Sequence, residues 1–292
     1  LGIAVVAVAT VAGVAVLGPE DNVFSRFIKM GLTESTFVGR FLYMQDALPM
    51  LLKHPFGMGY FGYFYAQGAV QTGVYGVSFV HNDILQIALD VGIIPALLFV
   101  AAILRYLFKK SVPLTDKLIV LVFTLHNMFD FNLQFAGMFM LYMALMHDTD
   151  GKEITVNDTT ALQITLPLLA VTSLYMFFPL TLSHFTAYEA AHKLYSYNTQ
   201  NSLLMLEQQT DVSVANEIAE GILEYNTTYY APYSVQAKYA YSQGDFRSVM
   251  SNKKEAFSRN RFGYVDYEEY SVMLINGIIA YERMGDSGSA NI

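Results

Sequence analysis

Apolar and polar positions follow two different regimes along this chain. The opening run, LGIAVVAVATVAGVAVLG (residues 1–18), is apolar throughout and predicts a membrane-spanning helix. No basic stretch and no initiating methionine precede it. It therefore reads as a span whose upstream part is missing rather than as a signal peptide, and the chain as the C-terminal piece of a longer polytopic protein. Residues 19–90 contain no comparable run and are rich in Gly, Tyr and Phe; they predict a long loop carrying short amphipathic helices. A second span follows at 91–108, VGIIPALLFVAAILRYLF. Arg105, Lys109, Lys110 and Lys117 cluster at its end, which places that connection in the cytoplasm and the 19–90 loop on the outer face. Residues 118–146 are too long for one upright helix and are interrupted by His126, Asn127, Asp130, Asn132 and Gln134. Polar groups at membrane depth must face protein or water, which favours two short spans meeting at an outer turn near 130–136, with a single tilted helix as the alternative. A polar segment, HDTDGKEITVNDTT, leads to a last span at about 161–182. Under the two-span reading it exits outward, and the tail lies outside the cell.

From about residue 184 the periodicity turns helical and charged, with no run long enough to span. EGILEYNTTYYAPY aligns with KEAFSRNRFGYVDY: Leu223, Asn226, Tyr230 and Tyr233 fall 34 residues before Phe257, Asn260, Tyr264 and Tyr267. That period is the one of tetratricopeptide helix hairpins, so a helical-repeat tail with a partner-binding or spacer role is expected. The fold expected is all-α: a transmembrane bundle over residues 1–183 with an outer loop at 19–90, then a soluble repeat domain over 184–292.

Composition agrees with a membrane protein: 54% of residues are hydrophobic and 14% charged, with a mean hydropathy of +0.35. A net charge of −8 offers no basic surface for nucleic acid. The absence of cysteine excludes disulfides, thiolate metal sites and a cysteine nucleophile.

Candidate chemistry concentrates in the outer loop. Arg40 is suited to gripping a pyrophosphate, since its planar guanidinium donates parallel hydrogen bonds and keeps its charge; the alternative is an interfacial arginine that snorkels to headgroups. In HPFGMGYFG, Gly57, Gly59 and Gly62 fit the spacing of a dinucleotide fingerprint, but the strand and βαβ context it requires are missing. Pro55 and the glycines read better as a tight turn that lets backbone approach a helix or a lipid-linked substrate. His81 stands just ahead of an apolar helix on the outward side, where it would serve either as a base for a hydroxyl nucleophile or as a cap. Asn82 and Asp83 are good N-cap residues, and beyond them Asp83, Gln86 and Asp90 form one polar stripe, able to bind sugar hydroxyls or one another. His126, Asn127 and Asp130 fit a buried polar network as well as a functional site. No D-x-D pair for a catalytic metal occurs in the outer loop, so metal-independent chemistry without a cofactor is expected.

The order Arg40, then HPFGMGYFG, then HNDILQIALDVG resembles the bacterial O-antigen ligase and polymerase family, whose mark is a histidine, then Asn, Ser or Gln, then nine residues and a glycine. Here these are His81, Asn82 and Gly92. LHNMFDFNLQ also looks like the family's next polar membrane segment, and some members carry a helical-repeat tail. The resemblance covers about residues 20–147. It implies a multi-pass glycosyltransferase at the outer face of the cytoplasmic membrane, moving a glycan from undecaprenyl pyrophosphate to a hydroxyl on lipid A core, another glycan or a protein. Carried over, Arg40 would bind the leaving pyrophosphate and His81 would activate the acceptor, with Asn82, Asp83, Gln86, Gly57 and Gly59 near the substrate. The family usually has further arginines upstream of this stretch. Two other classes compete: a non-enzymatic membrane scaffold that binds a protein partner through its tail, and a transporter of polyisoprenyl-linked sugars using His126 and Asp130.

Overall fold

The computed structural model describes residues 35–146, 158–283 and 285; the expected first span, the start of the outer loop and most of the polar segment before the last span lie outside these residues. Among the described residues there are thirteen α-helices and no strand. In the outer loop, α1 (Ser35–Lys53) is longer than the short helices expected, and α2 (Gly62–Ala66) continues as one 3-10 turn, Gln67–Ala69. α3 (Asp83–Val91) begins where Asn82 accepts the Leu85 N–H at 2.9 Å, satisfying an otherwise orphaned helix donor. It ends at Gly92, whose φ of 103° is open to glycine, and the same residue starts α4 (Ile93–Phe108).

α5 (Leu114–Asn127) and α6 (Ala136–Leu145) replace the continuous apolar run 118–146. Between them, residues 128–135 leave the helix and form one 3-10 turn at Asn132–Gln134. This break falls on the polar residues of the run. α4, α5 and α6 pack together around Ile103, Tyr106, Val120 and Tyr142, and the Tyr142 and Thr124 hydroxyls share a 2.6 Å hydrogen bond. α7 (Asp158–His184) has outward-facing leucines and phenylalanines along nearly its whole length, and Leu162–His184 is the one described helix long and apolar enough to cross a membrane. An apolar surface of this kind is stable only against hydrocarbon or another protein. The 16 residues of α4 reach about 24 Å, and α5 and α6 less, short of a ~30 Å hydrocarbon core.

The tail comprises α8 (Tyr188–Leu194), α9 (Thr199–Glu207), α10 (Val212–Leu223), α11 (Ala231–Ser242), α12 (Phe246–Arg259) and α13 (Tyr264–Arg283). α10 and α12 are each capped by an aspartate, Asp211 and Asp245, 34 positions apart. Between α12 and α13, the fully buried Lys253 is held by Asp266 at 3.3 Å and Glu269 at 2.6 Å. A charge without water is tolerable only with such partners. Burial pushes the Glu269 carboxyl up, but Lys253 and Lys238 outweigh it and hold it below its ordinary value.

The tail docks on the outer loop. Tyr65 of α2 enters a core made by Leu203, Leu206, Ala215, Ala219 and Ile222 of α9 and α10, and Phe64 stacks on Tyr229 at 5.9 Å. The Arg261 N–H donates to the Gly68 carbonyl at 3.3 Å. Loop and tail thus share one packed seam.

Candidate active site

Three segments distant in sequence build the surroundings of His81. The first is α1, whose Arg40, Tyr43, Met44 and Ala47 share one face at helical spacing. The second is the turn Val80–His81–Asn82 at the start of α3. The third is the break at 128–135. His81 itself adopts φ 56°, a left-handed conformation that few non-glycine residues take and that strained sites often hold.

Each flank of that turn is tied down. Gln86, buried on α3, accepts the Val80 N–H at 2.9 Å and donates to Asp90 at 2.8 Å, so both ends of its amide are engaged within the protein. Of the two readings of the Asp83–Gln86–Asp90 stripe, mutual bonding is the one found for Gln86 and Asp90. Burial raises the Asp90 carboxyl to about 6, partly offset by that bond. Asn82 caps α3 and also donates from Nδ2 to the Met128 carbonyl at 3.1 Å, joining α3 to the break. Asp83 has no solvent contact; its Oδ2 accepts the Leu133 N–H at 2.9 Å while Oδ1 lacks a hydrogen bond. Burial pushes this carboxyl up to about 6, against the pull of the Leu133 N–H. Val80, at the heart of the turn, packs with Ala47, Met50, Tyr63 and Leu89.

So held, the His81 imidazole lies between aromatic rings, with Phe131 edge-on at 4.7 Å and Tyr43 at 5.8 Å. Its Nδ1 is 3.7 Å from the Asp130 Oδ1, close enough for attraction and too long for a hydrogen bond. His126 approaches the other Asp130 oxygen at 3.8 Å. Burial lowers the His81 pKa, the Arg40 charge lowers it further, and Asp130 pulls the other way; the net shift is downward. At neutral pH the ring is therefore an uncharged base with an arginine close enough to be felt. The side chains of His81 and Asp130 are 20% and 26% exposed, so solvent or substrate reaches both.

The glycine segment serves α3 from its other end. The Met58 and Gly59 N–H groups donate to the Leu89 and Asp90 carbonyls at 2.7 and 3.0 Å, and the Ile93 N–H donates to Pro55 O at 2.9 Å. Gly57, with φ 89°, comes so near that a Cβ there would stand 2.5 Å from the Asp90 carbonyl oxygen. Of the approaches expected for Gly57 and Gly59, the one to a helix is observed. Among the described residues no group of three or more His, Asp or Glu side chains is placed to hold a metal ion.

Residues 1–100 match the family model of O-antigen ligases. The matched stretch takes in Arg40, the glycine segment and the whole of His81–Gly92, and ends within α4. The break that carries Asp130 and the tail lie beyond it. No curated protein and no solved structure matches the chain. The likeness to O-antigen ligases thus covers the elements on which Arg40 and His81 stand. Asp130 is the residue that sequence reasoning left out of the site: it was visible as a polar residue in an apolar run, but its meeting with His81 is made only by the fold.

Proposed function

We propose that this protein is a membrane glycan transferase of the O-antigen ligase type, in which a neutral His81 takes the proton of an acceptor hydroxyl. The observation that carries the reading is the uncharged, partly exposed imidazole, 3.7 Å from Asp130 and within the field of Arg40, on a segment matched by the O-antigen ligase family. With Nδ1 turned to Asp130, Nε2 is the nitrogen left for the substrate. The acceptor oxygen bonds to the anomeric carbon of a glycan carried on a polyprenyl, such as undecaprenyl, pyrophosphate. The bond from that carbon to the pyrophosphate oxygen breaks, and the acceptor proton passes to His81. Arg40 offsets the charge that gathers on the departing pyrophosphate, the larger contribution to the rate; base assistance is the smaller. Asn82, Asp83 and Gln86 hold the turn on which His81 sits, and Gly57 and Gly59 shape the floor behind α3. The acceptor, whether lipid, glycan or protein, is a separate question from this chemistry.

The test is made with the full-length protein in its own cell. His81→Ala at equal membrane abundance is expected to abolish surface glycan while lipid-linked precursor accumulates. Unchanged glycan and precursor would reduce His81 to a structural turn residue and turn attention to the scaffold reading.

A further inference from the structure

The seam between outer loop and tail is not closed along its whole length. Between α2 and the α9–α10 hairpin lies a cleft of about 440 Å³, within the size range of small-ligand sites. Tyr60, Tyr65, Tyr197 and Tyr225 line it, with Asn226 and Thr228. Tyr60 and Tyr197 are 65% and 68% exposed, so their rings stand open rather than buried in a core. The polar groups form an ordered set: Thr228 Oγ1 donates to Asn226 Oδ1 at 2.7 Å, and Asn226 Nδ2 donates to Thr199 Oγ1 at 3.2 Å. Those bonds fix the amide and leave lone pairs on both threonine oxygens for an incoming donor. Among the described residues that line the cleft there is no Lys, Arg, Asp or Glu. A phosphate would find no lysine or arginine here, only the His54 imidazole, and an acyl chain would strand the hydroxyls and the amide. A neutral sugar fits, since its C–H faces stack on aromatic rings and its hydroxyls bond to threonine and asparagine.

The cleft also communicates with His81 through half-exposed rings. Tyr60 meets Phe79 at 6.1 Å, Phe79 meets Phe131 at 5.3 Å, and Phe131 meets His81 at 4.7 Å. On the other side a hollow of about 340 Å³ continues the seam past Thr227 and Thr228, where Lys53, Glu255 and Arg259 join the lining and the neutral stretch ends.

From this geometry we infer that the loop–tail seam is a saccharide-binding subsite, holding a neutral stretch of a glycan chain whose reacting end lies at His81. This rests on the transfer reading for its source of glycan, but not for its chemistry. The test is binding by the full-length protein in nanodiscs. The probe is a size-fractionated neutral oligosaccharide hydrolysed from the host's surface polysaccharide, offered free and on polyprenyl pyrophosphate. Wild type is expected to bind, Tyr60→Ala and Tyr197→Ala each to weaken binding about tenfold, as the loss of one aromatic contact implies, and Tyr197→Phe, which keeps the ring, to bind as wild type. Tighter binding of the carrier-linked form assigns the seam to the donor chain, equal binding to the acceptor; either upholds the subsite. No binding by wild type, or alanine variants that bind equally well, overturns it, even if the His81→Ala cell loses its glycan. Tyr197-dependent binding in a protein whose His81→Ala cell keeps its glycan upholds the subsite and overturns the transfer reading.

Discussion

His81 holds a backbone conformation that Asn, Asp and His tolerate better than other side chains, and its ring feels two opposite charges, Arg40 and Asp130. These charges make a signed prediction. Arg40 disfavours the imidazolium, so Arg40→Gln is expected to move the acid limb of the kcat/KM profile to higher pH as well as to cut the rate. Asp130 favours the imidazolium, so Asp130→Asn is expected to move the same limb to lower pH. Profiles of the two variants that shift together, or not at all, would remove both residues from the electrostatics of His81. The residue scale also shows where sequence was enough. Asn82 was readable as a cap because the rule is local: side chain to backbone, three residues on. The φ of His81 and its contact with Asp130 were not, because the first is imposed by Gln86 gripping Val80 from behind. The second joins positions 49 apart through a break whose placement depends on Asn82 and Asp83.

At the scale of elements, α3 is the piece that positions everything else. Its start is fixed by Asn82, its side is latched to the break through Asp83 and Leu133, and its end is met by the glycine segment. The Asp83 latch carries a charge at a cost. A carboxyl raised to about 6 in the fold and near 3.9 when unfolded binds its proton more tightly in the fold, so its contribution is full below about pH 4 and is lost as pH rises through 6, on the order of 3 kcal/mol. Asp83→Asn keeps an acceptor for Leu133 and removes the charge. It is expected to flatten the fall in thermal midpoint between pH 4 and 6, measured in detergent, whereas Asp83→Ala loses the latch at every pH. Gly57→Ala is expected to weaken the same helix from its other end, since the new Cβ meets the Asp90 carbonyl and the φ of 89° is strained for alanine. The element boundaries were largely visible in the apolar pattern: the polar interruption at 128–135 and the last long helix both fell where that pattern changed. The identity of short helices as spans was not, since 10 to 16 apolar residues satisfy either a protein core or a thin slab of lipid.

Across the whole molecule, the arrangement with most consequence is the docking of tail on loop. Nothing in the spacing of Tyr65, Tyr229 or Gly68 announces it, because surface aromatics carry no address for the surface they will meet. The 34-residue spacing of Leu223, Asn226, Tyr230 and Tyr233 from Phe257, Asn260, Tyr264 and Tyr267 was legible in the sequence, and the two segments fall at the α10–α11 and α12–α13 connections. At the seam, Gly68 stands where a Cβ would run into the Arg259 carbonyl. Gly68→Val is therefore expected to loosen the tail, read as faster protease cleavage between 195 and 230 in membranes at unchanged abundance, while Gly137→Ala on α6, whose Cβ would meet nothing and which lies away from the seam, changes cleavage little.

The docking also sets an order in time. Phe61, Phe64 and Tyr65 are synthesised long before Leu206 and Ile222, the residues that cover them. Until the α9–α10 hairpin is made, the loop presents bare aromatic surface. The nascent chain is therefore recognisable as unfinished by any chaperone or protease that reads such surface, and the seam closes only once the tail is complete.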